Sequence, residues 1–481
     1  MRSFTRSPRP ARLLLGVLAG LVLAGPGSLA AQLGAGVRPA KLEPTTTSEA
    51  AKTAFWTAID HFNNIEFAPG AVHMKRALEL DPGFGLARVA YGLNAPGLTA
   101  AERDSTIARG VADAARGAPL EALVAMGMRE FRGDRERGRT ILKSAAAIAP
   151  GDPNIAFYVA QLSTNAGETA IAMRDVTARF PDFAPAYNLL AYNLWTIRDR
   201  AGALEAAANY MAKAPNHPNS HDTYAEILQF SGRFDEAIAH YKKAMEMDPT
   251  NTEGAVGMAE VYTLQGKAVE ARTAIMGVMD RVTVPVTRVN YLRAIAATYL
   301  LENNVKQAIA QLGTSAEEAK KAGLPAPEAQ AHLVMATTDA TFGDGKSVAA
   351  HVTAGSTAGD EGFRHYVVAW SHAFARQPEV ARRELEAIAQ SSATPAVKAT
   401  WTAHVNAILL INENKPAEAV TVLQQAAPGQ PLTRALMALA LHKAGQIGAA
   451  RSLRDEILSN RQINLANWND VSARQMVKRI N

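Results

Sequence analysis

The chain has 481 residues, 50 of them basic and 45 acidic, a formal net charge of +5 and no cysteine. Without cysteine there is no disulfide framework, thiolate metal site or cysteine nucleophile. The length suits several ordinary domains or one long repeat array, and the alanine-rich composition favours packed helices, because alanine has the best helix propensity and lets helix axes approach closely.

The first 30 residues have the order of a secretory signal peptide. MRSFTRSPRPAR carries Arg2, Arg6, Arg9 and Arg12 without an acid, the apolar run LLLGVLAGLVLAG follows, and PGSLAAQ closes it with small residues at Ser28 and Ala30. Cleavage is expected after Ala30. The apolar run is shorter than the roughly 20 residues of a membrane span, so no stable span is expected after cleavage. The segment has no adjacent twin arginine, which argues against export in the folded state. The expected location is the periplasm or outer cell envelope. Cleavage removes four arginines and no acid, leaving 46 basic against 45 acidic residues. A clustered basic excess is therefore missing, and no nucleic-acid partner is expected. Residues 31–47, rich in Pro, Gly and Thr, read as a flexible leader.

From residue 48 the chain reads as helical hairpins. FWTAIDHF…GAVHMKRALELDP holds Ala58, Ala77 and Pro82; VAMGMREFRGDRERGRTILKSAAAIAP holds Gly133, Leu142, Ala145 and Pro150. A clear period follows. Pro181, Pro215 and Pro249 are 34 residues apart, as are Ala191, Ala225 and Ala259, then Ala203, Ala237 and Ala271, and Gly232 and Gly266. Several registers agreeing on one period mark a repeat architecture. Within one period, NSHDTYAEILQF has helical spacing and stops at Ser231-Gly232. RFDEAIAHYKKAMEMD forms a second amphipathic helix with Phe234, Ala237, Ile238, Tyr241 and Ala244 along one stripe, and Pro249 blocks its continuation. Neither helix buries its stripe alone, so neighbouring hairpins must stack.

Residues 219–249 resemble the tetratricopeptide repeat (TPR) family through Tyr224, Ala225, Leu228, Gly232, Phe234, Ala237, Tyr241, Ala244 and Pro249. The preceding repeat has Tyr187, Leu190, Ala191, Leu194, Ala203 and Pro215; the next has Met258, Ala259, Tyr262, Gly266 and Ala271. The preceding one carries Arg198 where the glycine stands, so a different inner turn is expected there. Downstream, the helix-crossing alanine recurs as Ala296, Ala336, Ala369, Ala407 and Ala438, with second-helix partners Ala308, Ala381, Ala419 and Ala450. About eleven or twelve hairpins are expected between residue 48 and about residue 460. The resemblance implies an all-α, right-handed superhelical solenoid of antiparallel helix hairpins. It divides into residues 48–285, with the best matches at 184–285, and a more degenerate 286–463. The stretch DRVTVPVTR around Pro285 reads as a long loop. Residues 464–481 read as a capping helix over the terminal repeat.

Chemistry-bearing motifs are sparse. FGDGKS at 342–347 ends like a phosphate-binding loop, but Ala340 stands where the first glycine belongs and no strand precedes it. His365 and His372 share one helix and His217 and His221 lie four apart, yet neither pair has the converging ligands of a metal site. Ser356 in AGSTAGDEG lacks the order of a nucleophile elbow. No enzymatic activity, metal or cofactor is expected.

In such arrays the concave wall, lined by the first helix of each repeat, carries recognition. The resemblance assigns inner-wall positions to Asn188, Tyr192 and Trp195, then Asp222, Glu226, Gln229 and Phe230, then Glu260 and Thr263, then Arg293. Exposed aromatics beside amides and carboxylates suit an extended peptide or a partner helix, because aromatics supply most hot spots; the alternative for Trp195 and Phe230 is packing between neighbouring helices. The expected function is a non-catalytic scaffold that binds a protein or peptide in its concave groove. The alternative is a structural subunit of an envelope assembly or export complex that uses flank and end surfaces. The two differ in where exposed apolar residues gather.

Overall fold

The computed structural model describes residues 41–357 and 361–480. The signal-like segment and residues 31–40 of the leader lie outside the described residues. Among the described residues all regular structure is helical: 25 α-helices and three 3-10 segments. The first 24 α-helices follow one another as twelve helix pairs, from Glu49–Asn63 to Ile447–Ser459, and Trp468–Val477 follows alone. The chain divides into two compact units, Met1–Ile227 and Leu228–Asn481.

Local signals set the hairpins. Proline is the first residue of nine of the described helices, among them Pro119–Arg129, Pro325–Phe342 and Pro431–Lys443, where its missing N–H costs nothing and its φ is already helical. Pro285 does the same for Pro285–Leu301, after a loop with one 3-10 turn at Met279–Arg281. Side-chain caps hold other starts: Thr99 and Glu102 form a capping box, and Asp134 accepts from the Arg137 N–H.

Inside most of the hairpins the chain reverses through one left-handed residue. Gly232, Gly266 and Gly445 take φ of 81°, 75° and 77°. Arg198 takes φ 68°, so its turn is the same and not a different one. The Arg198 N–H donates to Trp195 O and the Asp199 N–H to Leu194 O, as the Gly232 N–H does to Gln229 O and the Arg233 N–H to Leu228 O. These bonds hold the geometry, and the arginine bears a backbone cost of about 1–2 kcal/mol that glycine avoids.

The small residues have a packing reason. Every repeating alanine, from Ala191 and Ala203 to Ala438 and Ala450, is fully buried, because a methyl group is all the space a close helix crossing leaves. At the tightest crossing even that is excluded. A Cβ on Gly85 would stand 2.1 Å from the backbone N of Ala114 in the paired helix.

Candidate functional site

In the unit formed by residues 228–481, the first helices touch in two runs, which share a core between Pro285–Leu301 and Pro325–Phe342 and together make a wall. Contacts run from Glu253–Leu264 to Pro285–Leu301, and from Pro325–Phe342 through Glu361–Phe374 and Pro395–Asn412 to Pro431–Lys443. The closing segment, residues 461–480, lies along this wall. Its helix Trp468–Val477 packs on both Pro285–Leu301 and Pro431–Lys443. Those two helices are four hairpins apart, on the order of 30–40 Å in a straight stack, whereas a ten-residue helix is about 15 Å long. The wall must therefore curve around the segment. The sequence predicts this helix as a cover for the last repeat; it also fills the groove in front of the earlier ones.

Both backbone and side chains of the segment are held. Glu260 accepts the Leu465 backbone N–H at 3.2 Å, and the Gln229 side-chain amide donates to Arg461 O at 3.4 Å. Gln229 is held in turn by the Tyr241 hydroxyl, which donates to its Oε1 at 2.8 Å. Further along, Trp468 Nε1 donates to Thr338 Oγ1, Gln475 to Asn303, Lys478 Nζ to Leu301 O and Arg479 to Thr341 O. Ile463, Leu465, Trp468 and Val471 join the core around Ala296 and Met335, while Met476, Val477 and Ile480 join that around Ala407 and Ala438. The five largest of these, Ile463, Leu465, Trp468, Met476 and Ile480, contribute on the order of 10 kcal/mol together.

The other unit treats its own N-terminal end in the same way. Residues 41–47, read as part of a flexible leader, are held: the Leu42 N–H donates to Asp152 Oδ2 at 2.8 Å and the Thr45 N–H to Glu121 Oε2 at 2.5 Å. Leu42 is buried among Phe55, Val124 and Ile155. Glu121 and Asp152 are themselves buried carboxylates, satisfied by backbone N–H groups. Both lie in or just before first helices, and neither is marked in the sequence, because a lone acid in a degenerate repeat carries no pattern.

The predicted wall residues divide accordingly. In the first unit Asn188 accepts from Thr223, and the Tyr192 hydroxyl donates to Glu226 at 2.6 Å. Burial, and then the Glu226 charge, pushes the Tyr192 phenol well above its ordinary range. Trp195 is buried under the Arg200 guanidinium, 3.7 Å above its ring, and Asp222 is half-buried. In the second unit Gln229 and Glu260 hold the closing segment, Phe230 is buried, Thr263 bonds back to Ala259 O, and Arg293 is half-buried and reaches Gln330. Trp195 and Phe230, expected as exposed hot spots, are 7% and 9% exposed and present no open aromatic surface.

The remaining motifs are internally satisfied. In FGDGKS the carboxylate of Asp339 accepts from the Gly345 and Ser347 N–H groups and the Ser347 hydroxyl, so the amides that would cradle a phosphate already hold an anion. His365 pairs with Glu384, and His372 with Gln377; the two are not brought together. His217 meets Asp60 and Glu66. Hydrogen bonds that its ring N–H groups donate to these carboxylates, Asp60 first, raise its pKa to about 9, and the same pairing lowers that of Asp60. No helix among the described residues is long and apolar enough to cross a membrane.

Residues 231–294 match the tetratricopeptide repeat family model. No curated protein matches the chain. Among solved structures, MamA residues 41 to the end from Desulfovibrio magneticus RS-1 is 17% identical, covering 34% of this chain and 96% of its own at a TM-score of 0.31. A thermophilic TPR protein of Thermus thermophilus is 18% identical, covering 36% and 96% at 0.31. A tetratricopeptide repeat protein from Parabacteroides merdae is 12% identical, covering 59% and 99% at 0.34. With overlaps this low, no property of these proteins transfers to this chain.

Proposed function

We propose that this protein is an exported, non-catalytic protein-binding scaffold of the bacterial periplasm or cell envelope. In this reading its inner walls are used in cis and its partner meets the outer faces of the second helices. The observation that carries it is the closing segment 461–480 buried along the first-helix wall of the second unit. Peptide recognition of the kind expected of the groove is directed there at the chain itself. The four most exposed large apolar residues among those described support the flank: Val72, Ile171, Val269 and Met276 stand on second helices, while Val286 and Val397, on first helices, are less exposed. Export rests on the charged, apolar and small-residue order of residues 1–30.

A second reading is binding in the groove after release of the closing segment, favoured by the grip of Gln229 and Glu260 on a peptide backbone. Capture of partners from a solubilised envelope by residues 31–481 separates the two. Under the flank reading Ile171→Glu or the Val269→Glu, Met276→Glu pair loses the partner while Trp468→Ala keeps it. Unchanged capture by the flank variants together with increased capture by Trp468→Ala would overturn it in favour of the groove.

A further inference from the structure

A second cluster, in the unit of residues 1–227, is not used by the scaffold reading. His61 closes the helix Glu49–Asn63, Glu66 stands just before Phe67–Leu80, and His217 precedes Pro218–Ser231. Glu66 and His217 are 151 positions apart in sequence. Glu66 reaches both imidazoles: Oε2 is 2.5 Å from His61 Nδ1 and Oε1 is 3.0 Å from His217 Nδ1. One donor atom from each of the three residues lies within 4.8 Å of the others.

We propose that His61, Glu66 and His217 form a binding site for a divalent zinc-like ion that clamps the first hairpin to the start of the sixth. Two imidazole nitrogens and one carboxylate oxygen select a borderline ion such as Zn2+ over Mg2+ or Ca2+, which prefer all-oxygen shells. Three protein ligands leave a fourth position for water. Around a tetrahedral ion the donors stand about 3.3 Å apart, given metal–ligand distances of about 2.0–2.1 Å, so rotamer adjustments of about an ångström close the site.

The outer shell is also present. The other nitrogen of His217, Nε2, lies 3.3 Å from Asp60 Oδ2. A carboxylate behind a ligating histidine fixes its tautomer and ring orientation and raises its basicity. His61 is stacked on His73, with ring centroids 5.4 Å apart. The backbone between the ligands is pinned from both sides. The Tyr210 hydroxyl donates to Asn64 Oδ1 at 3.0 Å and accepts from Asn219, two residues beyond His217. Ile65, between Asn64 and Glu66, takes φ 66° in the same hairpin turn as Arg198, its N–H donating to Phe62 O and that of Glu66 to His61 O, so the turn fixes where Glu66 leaves the backbone. In the absence of metal the carboxylate of Glu66 accepts hydrogen bonds from both Nδ1–H groups; an ion takes the place of those protons, which leave to solvent.

The test is Zn2+ binding to the chelator-stripped full chain, followed by competition with a chromogenic chelator and by thermal unfolding. The expected result is one ion per chain and a higher Tm. Asp60→Asn weakens binding 10–100-fold, the usual range for an outer-shell partner, and His61→Ala or His217→Ala weakens it more. His365→Ala, in a histidine–carboxylate cluster with one histidine only, leaves it unchanged. Co2+ bound to the unaltered chain gives the intense visible absorption of a four-coordinate site, a readout that needs no variant to fold. No saturable Zn2+, a weak six-coordinate Co2+ spectrum, or Zn2+ binding that survives both histidine substitutions would each overturn the proposal.

Discussion

Trp468→Ala tests whether the closing segment is an integral part of its unit. The indole is 6% exposed, packs in the cluster of Ala296, Val334 and Leu465, and donates to Thr338 Oγ1 at 3.0 Å. Truncating a buried aromatic to alanine costs about 3–5 kcal/mol, cavity included. The lost hydrogen bond adds little, because Thr338 keeps its donation to Val334 O at 2.7 Å and is not left an unpaired donor. We expect a loss of about 4 kcal/mol. In a stacked array each hairpin is stabilised by its neighbours, so the loss should stay within the unit of residues 228–481. Urea unfolding measures the total. Native-state hydrogen exchange locates it: amides of 465–477 and 285–301 lose protection and those of 49–213 keep theirs. A loss under about 1 kcal/mol, or an equal loss of protection in 49–213, would refute the assignment of the segment to that wall.

Three further outcomes follow from single residues. His404 is buried between the Tyr366 and Thr433 hydroxyls, and burial lowers its pKa from 6.5 to about 4. The unfolded chain binds this proton below pH 6.5 and the folded one does not, so stability falls as pH drops from 6.5 to 4, by up to about 3 kcal/mol; His404→Gln flattens that part of the urea-midpoint profile. Gly85→Ala drives a methyl group into the Ala114 backbone and should cost about 2–3 kcal/mol by thermal unfolding. Arg198→Gly relieves a left-handed arginine and should raise stability by about 0.5–1 kcal/mol, net of the entropy glycine adds to the unfolded chain; a lower urea midpoint would contradict this.

Much of the fold is legible in the chain itself because its determinants are local. A proline at a helix start, a glycine at a left-handed turn and an alanine every 34 residues act within one hairpin or against its neighbour. The alanines picked out in the degenerate repeats, down to Ala450, are all buried. The turn at Arg198 departs from expectation because glycine is only the least costly residue for that conformation; the turn's own hydrogen bonds impose it on arginine as well. What fills the walls has no local signal. Leu465 finds Glu260 across 205 positions and Trp468 finds Thr338 across 130, and in sequence Leu465 to Ile480 is an ordinary terminal helix. In sequence His217 pairs most naturally with His221, four residues away, while the fold sets it beside Glu66, 151 residues away. Period and capping are short-range properties that one sequence records. Curvature of the stack, which decides which distant side chains meet and whether the groove is open, accumulates over many small hairpin rotations and exists only in the folded chain.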